Sequence, residues 1–190
     1  MPLNEELSWA QVGAIITDPS SGAKVADAFQ LMFGEPTKDL LPAGMRIYKF
    51  NSEASVVPAR FGGDAKLGRD TPMSPWWTAS LPYKHDGGLQ QRLKIAELNG
   101  VSAREWGRLT SVIKEDWNSL ACILEIQLAE PVYGWFGGFR GMARKGGGTS
   151  MRDAAVEKSS GSKNLPGGGT QFYIPNLKYA YVKTHSLKPL

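Results

Sequence analysis

The sequence predicts an α+β domain built on an antiparallel sheet, with helices flanking the sheet and a helical segment at the N-terminus. Three observations support this fold class: alternating or apolar segments typical of strands, two central segments with helical spacing, and glycine- and proline-rich stretches between them. With 190 residues, the chain has the length of one domain plus a small attachment. We therefore expect a helical segment over residues 1–40 and a main domain over residues 41–190.

Two apolar series with helical spacing occupy the N-terminal segment. The first ends at Asp18 and Pro19, and the second is stopped by Gly34 and Pro36. The second series places five apolar side chains on one helical face: Val25, Ala28, Phe29, Met32 and Phe33. Nothing in this segment indicates chemistry, so we expect it to serve packing or targeting.

The main domain begins with a strand and continues into two helices. Alternation after the turn at residues 41–44 predicts a strand over residues 45–50. One helix is predicted from Gly88 to Asn99, and a second begins at Ser102, which stands three residues before Glu105 as in a capping box. Later strands are predicted at residues 121–128, 170–174 and 178–183.

Composition and charge exclude several classes of function. No apolar run reaches the roughly 18–20 residues that span a bilayer, so we expect no membrane interaction. The start of the chain has no basic region followed by an apolar core, so we expect no ordinary secretory signal. Cys122 is the one cysteine, and His85 and His185 lie far apart, so we expect neither a disulfide nor a metal site. The net charge of +4 favours an anionic partner.

Glycine is concentrated late in the chain. Eleven of the 22 glycines fall between Gly134 and Gly169, and three of them, Gly167 to Gly169, enter a predicted strand. Such a run allows close approach of a ligand to the backbone, although its spacing alone is more typical of a turn before an ordinary edge strand. Gln171 follows the run and offers an amide that positions a sugar hydroxyl or a water without acting as a base.

Two further signals are cationic and aromatic. Arg46 and Lys49 leave opposite faces of a strand, so only one of them can face a single site. Trp76 and Trp77 also point in opposite directions, so one can line a cleft while the other packs inward. Basic residues of the glycine-rich loops could bind a pyrophosphate or nucleic acid, or could simply be solvated: Arg60, Lys66, Arg69, Arg140, Arg144, Lys145 and Arg152. Neither a P-loop nor a Rossmann glycine motif occurs.

Taken in chain order, three segments resemble the motifs of the ADP-ribosyltransferase-like superfamily of bacterial toxins, and the resemblance covers roughly residues 41–184. Residues 42–49 are similar to its opening strand, in which an aromatic residue precedes a basic one. Residues 74–78 stand where the family has a small polar and aromatic segment that cradles nicotinamide. Residues 167–176 are similar to the third motif, which opens the last strands and carries a catalytic glutamate or, in toxins that hydrolyse NAD+, a glutamine.

The resemblance implies a split, antiparallel or mixed sheet of the ADP-ribosyltransferase type and NAD+ as the substrate, with no metal. It assigns Gln171 and Lys49 to catalysis, with Gln171 at the ribose and the attacking water and Lys49 or Arg46 at the pyrophosphate. The remaining NAD+-binding residues that it implies are Arg46, Tyr48, Arg60, Ser74, Trp76 and Trp77. It also implies secretion without a classical signal peptide, action in the cytoplasm of a target cell, and a cognate immunity protein.

Two departures from the family pattern shape the expected activity. Lys49 stands where the family has arginine or histidine, so the bidentate contact to phosphate is lost. Gln171 stands where transferases have glutamate, which favours an NAD+ glycohydrolase that releases nicotinamide. Arg60 stands ahead of the aromatic motif, and this placement is similar to that of an arginine in related toxins that split NAD+ by phosphorolysis. Two alternatives remain open: ADP-ribosylation of a protein or RNA acceptor, and a non-enzymatic basic protein that binds nucleic acid.

Overall fold

Apolar, β-branched and aromatic segments form most of the strands, as their composition favours. The computed structural model describes residues 4, 29–30, 36–52, 70–115, 117–144 and 164–190. Its strands are β1 (Phe29–Gln30), β2 (Thr37–Leu41), β3 (Arg46–Asn51), β4 (Trp76–Ala79), β5 (Cys122–Leu128), β6 (Val132–Phe139), β7 (Met142–Ala143), β8 (Asn164–Leu165), β9 (Thr170–Tyr173) and β10 (Val182–Pro189).

Two α-helices follow one another in the middle of the chain, α1 (Gly88–Leu98) and α2 (Ala103–Thr110). The predicted cap of α2 is confirmed, because the Ser102 hydroxyl oxygen accepts a hydrogen bond of 3.1 Å from the Glu105 backbone N–H. The helix ends at Thr110, earlier than its apolar spacing predicts, and a short 3₁₀ turn occupies Tyr179–Tyr181. Neither helix of the described residues is long and apolar enough to cross a membrane.

The strands pair antiparallel in one main sheet, in the order β1, β6, β9, β4, β3, β5, β10, with β2 also paired to β6. β7 and β8 form a separate two-stranded pair. An antiparallel sheet with two helices is the α+β class that the sequence predicts. Among the described strands every pairing is antiparallel, so none of them makes the sheet mixed.

The sheet opens along β4. This strand pairs with β3 through Thr78 and Ala79, and with β9 through Trp76 and Trp77. Beyond Tyr48, β3 continues beside β5 without a register partner in β4. The two halves of the sheet therefore separate where Lys49 follows Tyr48, and this opening positions the site described below.

The core lies on both faces of the sheet. One face carries the largest buried apolar cluster, which includes Ile47, Trp77, Ile126 and Phe172. On the other face α1 contributes Leu89 to a second cluster, which also contains Tyr48, Phe50, Leu120 and Ile123. α2 reaches the same cluster at Gly107, where an added Cβ would lie 2.5 Å from the Phe50 ring. The helix can therefore pack this closely only because residue 107 is glycine.

The prediction of a helical N-terminal segment is wrong for the part that the structure describes. Phe29–Gln30 lies in the second predicted helix but is a strand paired with β6, so tertiary pairing has overridden the helical spacing there. Thr37–Leu41, beyond the predicted stop at Gly34 and Pro36, is also a strand paired with β6. The two predicted helices otherwise fall mostly on residues outside the described ones, and the division of the chain at residue 40 stays a prediction. The last strand is also displaced, since it begins at Val182 rather than at residue 178.

Candidate functional site

A pocket of about 800 Å³ opens where β3 and β4 separate, a volume within the usual range for small-molecule sites. Its walls come from the end of β3, from β4, from the segment after α2, from the end of β6 and from β9. The lining residues are Lys49, Phe50, Ser74, Trp76, Trp77, Thr78, Ser111, Val112, Ile113, Trp117, Asn118, Phe139, Arg140, Gly141, Met142 and Gln171. Apolar and aromatic side chains dominate, with a few polar and cationic groups among them.

Five of the eight residues that the sequence nominates as a site line this one pocket: Lys49, Ser74, Trp76, Trp77 and Gln171. The first and the last of them, Lys49 and Gln171, are more than a hundred residues apart in the chain, and the pairing of β4 with both β3 and β9 brings the five together. Arg46 and Tyr48 do not line the pocket, and Arg60 lies outside the described residues. The structure shows this placement; the roles of the residues stay predictions.

Position along β3 decides which of its cations reaches the pocket. Arg46 stands where β3 begins, half-exposed and 4.0 Å from the Glu125 carboxylate. Lys49 comes after the last residue that pairs with β4, and its ammonium nitrogen lies 5.8 Å from the centre of the Trp77 ring. The sequence leaves open which of the two cations faces the site, and the structure places Lys49 there.

The two tryptophans occupy different environments. Trp77 is 2% exposed, belongs to the main core cluster, and donates its indole N–H to the Ser74 carbonyl at 2.6 Å. Trp76 is half-buried, with its ring 4.8 Å from that of Tyr173. Trp77 thus fixes the Ser74 backbone beside the pocket, whereas Trp76 offers a more accessible aromatic surface.

Gln171 is the polar group of β9 within the pocket. Its register partner in β6 is Gly137, and only 3% of the residue is exposed. A buried amide in a pocket lined mainly by apolar groups can fix a hydroxyl or a water by hydrogen bonding. It cannot abstract a proton, so its chemistry is restricted to positioning.

Two glycines of the run before Gln171 contact protein, and none of the three lines the pocket. Gly167 and Gly169 donate their backbone N–H groups to the carbonyls of Leu109 (3.0 Å) and Thr110 (3.2 Å) at the end of α2. Gly167 has φ +78°, and an added Cβ would lie 2.4 Å from the Phe139 carbonyl oxygen. Glycine here joins β9 to α2, which is the turn-like alternative rather than direct approach to a ligand.

The sequence patterns missed the pocket wall formed by residues 111–113, 117 and 118. Arg108, buried in α2, donates to the carbonyls of Ile113 and Asn118 at 3.0 Å each and so closes this segment into a loop. Trp117 lies on this loop, lines the pocket and is 58% exposed. Val112, also in the wall, has φ +53°, which is unusual for a β-branched residue. The helical spacing that continues to Trp117 concealed the loop.

Two arginines of the glycine-rich region have different roles in the structure. Arg140 is exposed and lines the pocket close to the end of β6. Arg144 is buried, pairing with the Glu105 carboxylate through two nitrogens (2.7 and 2.9 Å) and with Glu115 at 2.7 Å. The sequence identifies both residues as basic. Their surroundings in the fold show that Arg140 is a cation at the pocket and that Arg144 is a structural cation.

Tyr48 belongs to a buried polar cluster beneath α1. Burial raises the pKa of Tyr48 to about 12, while Arg92 and Asp86 act on it in opposite directions. Asp86 accepts hydrogen bonds from the Gly88 N–H (2.7 Å), from Arg92 (2.7 Å) and from the Thr170 hydroxyl. Burial opposes ionisation of Asp86, but Arg92 and these donors outweigh it and lower the pKa of the carboxyl. No group of three or more His, Cys, Asp or Glu side chains within the described ranges could hold a metal ion.

Comparison with known proteins adds little. No protein-family model matches the chain, and no curated protein matches it. The chain is similar to a chain in a solved structure described as Tne2 in complex with Tni2, with 11% identity, a TM-score of 0.44, and coverage of 82% of this chain and 94% of that one. A likeness of this size establishes neither fold family nor activity.

Proposed function

We propose that this protein is an NAD+ glycohydrolase that cleaves the bond between nicotinamide and ribose. The observation that supports the proposal is the convergence of Lys49, the Trp76–Trp77 pair and Gln171 on one pocket, as the resemblance to ADP-ribosyltransferase-like toxins implies. These three groups supply a cation, an aromatic surface and a buried amide, and NAD+ presents a pyrophosphate, an aromatic cationic ring and a ribose.

Each part of NAD+ finds a complementary group. An ammonium attracts the doubly negative pyrophosphate as a point charge, which is the role proposed for Lys49, with Arg140 as a second cation at the wall. The nicotinamide ring of NAD+ is positively charged, and an indole face attracts such a ring electrostatically. Trp76 takes this role because Trp77 is buried in the core.

The reaction needs no general base in the first step. The C1′–N bond breaks, its electron pair leaves with nicotinamide as a neutral molecule, and the ribose becomes an oxocarbenium ion. A water then attacks C1′ and loses a proton to solvent, which gives ADP-ribose. Gln171 orients the ribose hydroxyl or that water relative to C1′.

Nicotinamide release from NAD+, followed by chromatography, tests the proposal. We expect wild type to release nicotinamide and ADP-ribose in equal amounts, and Gln171→Ala to lose at least about a hundredfold in kcat/KM, as expected when a positioning group is lost. Gln127→Ala is the matched control, because Gln127 lies on β5 outside the pocket and hydrogen bonds to Gly44 and Thr184. Release at the blank rate by wild type would refute the proposal.

The same reaction mixtures separate hydrolysis from its alternatives. Label from adenine-labelled NAD+ that remains with protein or RNA after denaturation would indicate ADP-ribosyl transfer. A phosphate-dependent product in place of ADP-ribose would indicate phosphorolysis. Nucleic-acid binding that falls steeply with salt, without nicotinamide release, would indicate the non-enzymatic alternative.

The biological setting is part of the proposal. An enzyme that depletes NAD+ harms the cell that contains it, so we propose a toxin that is delivered to a target cell and acts in its cytoplasm. The producing cell then needs a cognate immunity protein that blocks the pocket. Co-expression of a neighbouring gene product that restores growth and NAD+ content would support this setting.

A further inference from the structure

A buried ion pair contacts Thr170, the residue before Gln171. Arg92 of α1 donates from one terminal nitrogen to the Asp86 carboxylate at 2.7 Å, and their side chains are 12% and 4% exposed. The same nitrogen lies 3.4 Å from the Thr170 carbonyl oxygen, and the Thr170 hydroxyl donates to the Asp86 carboxylate. Thr170 is thus held through both its backbone and its side chain.

The backbone on the N-terminal side of Thr170 is fixed by the same cluster. An added Cβ on Gly169 would lie 2.6 Å from a terminal nitrogen of Arg92, so the guanidinium lies against this residue. The Gly169 carbonyl accepts from the Phe139 N–H at 2.9 Å, and its N–H donates to the Thr110 carbonyl at 3.2 Å. The strand therefore enters the pocket at Gln171 from a segment that is held on several sides.

We propose that Asp86, Arg92 and Thr170 form the positioning element that sets the place of the Gln171 amide in the pocket. None of the three lines the pocket, so they act through Gln171 and not on the substrate. The inference rests on the proposed function for its catalytic consequence, but the geometry that it concerns exists without substrate. A buried ion pair often stabilises a fold no more than apolar residues of similar size do. Precise placement of the Gln171 amide is therefore a reason for the presence of this pair.

Thr170→Val tests the element, because it removes the hydroxyl that donates a hydrogen bond to Asp86. The substitution changes the side-chain volume little. Thr170→Ser keeps that hydroxyl and should restore wild-type behaviour. Thr184→Val is the matched control, since Thr184 is an exposed threonine of β10 whose hydroxyl donates to Gln127 at 3.2 Å. Arg92→Lys is a second variant, which keeps the charge but loses the planar group that reaches both Asp86 and Thr170.

The direct measurement is the side-chain amide resonance pair of Gln171 in a ¹⁵N–¹H spectrum, assigned by its absence from Gln171→Ala. We expect Thr170→Val and Arg92→Lys to move this pair toward the positions of exposed glutamines such as Gln90 and to accelerate its hydrogen exchange. Thr170→Ser and Thr184→Val should leave it in place. An unchanged Gln171 pair in a folded Thr170→Val or Arg92→Lys protein would overturn the proposal.

Kinetics give the second readout. With NAD+ as substrate, we expect Thr170→Val to lower kcat about tenfold or more with KM within about twofold, because the geometry of the reacting groups and not the binding of substrate is disturbed. An equal loss in Thr170→Ser would contradict positioning. If wild type releases no nicotinamide, the proposed function fails, while the Gln171 resonances still decide whether the cluster positions that amide.

Discussion

The ammonium nitrogen of Lys49 lies 5.8 Å from the centre of the Trp77 ring, at the point where β3 and β4 cease to pair. One side chain thus carries positive charge into the opening of the sheet, and the other forms the buried aromatic surface beneath it.

Removal of the Lys49 charge should weaken binding of a pyrophosphate. We expect Lys49→Ala to raise the dissociation constant for ADP-ribose about 10–100-fold, since a hydrogen bond to a charged group contributes about 1.5–3 kcal/mol. Lys183→Ala, on exposed β10, is the control of equal charge change. Isothermal titration calorimetry measures both, and equal affinity of the two variants would place the pyrophosphate elsewhere.

Substitution of Trp77 should affect mainly the stability of the fold, and substitution of Trp76 mainly the binding of substrate. We expect Trp77→Ala to lower the unfolding free energy by about 3–5 kcal/mol, because its ring is buried in the main core cluster. Trp76→Ala should cost less stability but raise the KM for NAD+ up to about tenfold, as loss of an aromatic contact of about 0.5–1.5 kcal/mol predicts. Urea unfolding and steady-state kinetics measure the two effects, and the reverse pattern would assign the ligand surface to Trp77.

Acid should weaken the fold through Asp86. Its pKa is lower in the folded protein than its ordinary value of 3.8, so its ionised form stabilises the fold above that value. This stabilisation is lost as the pH falls below 3.8 toward the folded pKa. We therefore expect the unfolding free energy of wild type to fall more steeply between about pH 5 and about pH 2 than that of Asp86→Asn. Denaturant unfolding across this range measures the slopes, and parallel slopes would contradict the assignment.

The pocket wall formed by residues 111–113, 117 and 118 should depend on Arg108. Arg108 reaches the Ile113 and Asn118 carbonyls with two different terminal nitrogens, whereas lysine has one nitrogen in place of this planar pair. We therefore expect Arg108→Lys to lose one of the two hydrogen bonds and to lower the unfolding free energy by about 1.5–3 kcal/mol. Backbone amides of this wall should exchange faster in the variant, as hydrogen exchange followed by mass spectrometry would show. Arg104→Lys, exposed on the same helix, is the control, and unchanged exchange in Arg108→Lys would mean that the loop is held by other contacts.

Local patterns predicted most elements of the main domain. The strand at residues 45–50, the helix from Gly88 and the cap at Ser102 all depend on nearby residues, and the structure has them within one or two positions. Phe29 shows the limit of such patterns: its spacing is helical, yet it pairs with Phe139 at the far side of the sheet. Long-range pairing of this kind leaves no mark in the local sequence.

The sequence predicts those parts of the candidate site in which the chemistry depends on the type of a single residue. Lys49, Trp76 and Gln171 were identified from their segments, but the choice between Lys49 and Arg46 required the point at which β3 leaves β4. Arg144 shows the opposite case, since its charge suggested a pyrophosphate, a nucleic acid or solvent as its partner, whereas it pairs with Glu105 and Glu115 of this chain. Sequence gives the chemistry of a side chain, whereas its partner depends on the fold.

A crystal structure of Gln171→Ala with NAD+ bound tests the central claim most directly. We expect the dinucleotide in the opening between β3 and β4, with its pyrophosphate near Lys49, its nicotinamide ring against Trp76 and its glycosidic bond beside residue 171. NAD+ bound on another surface, or an empty pocket at saturating NAD+ in crystals that leave the opening accessible, would contradict the account.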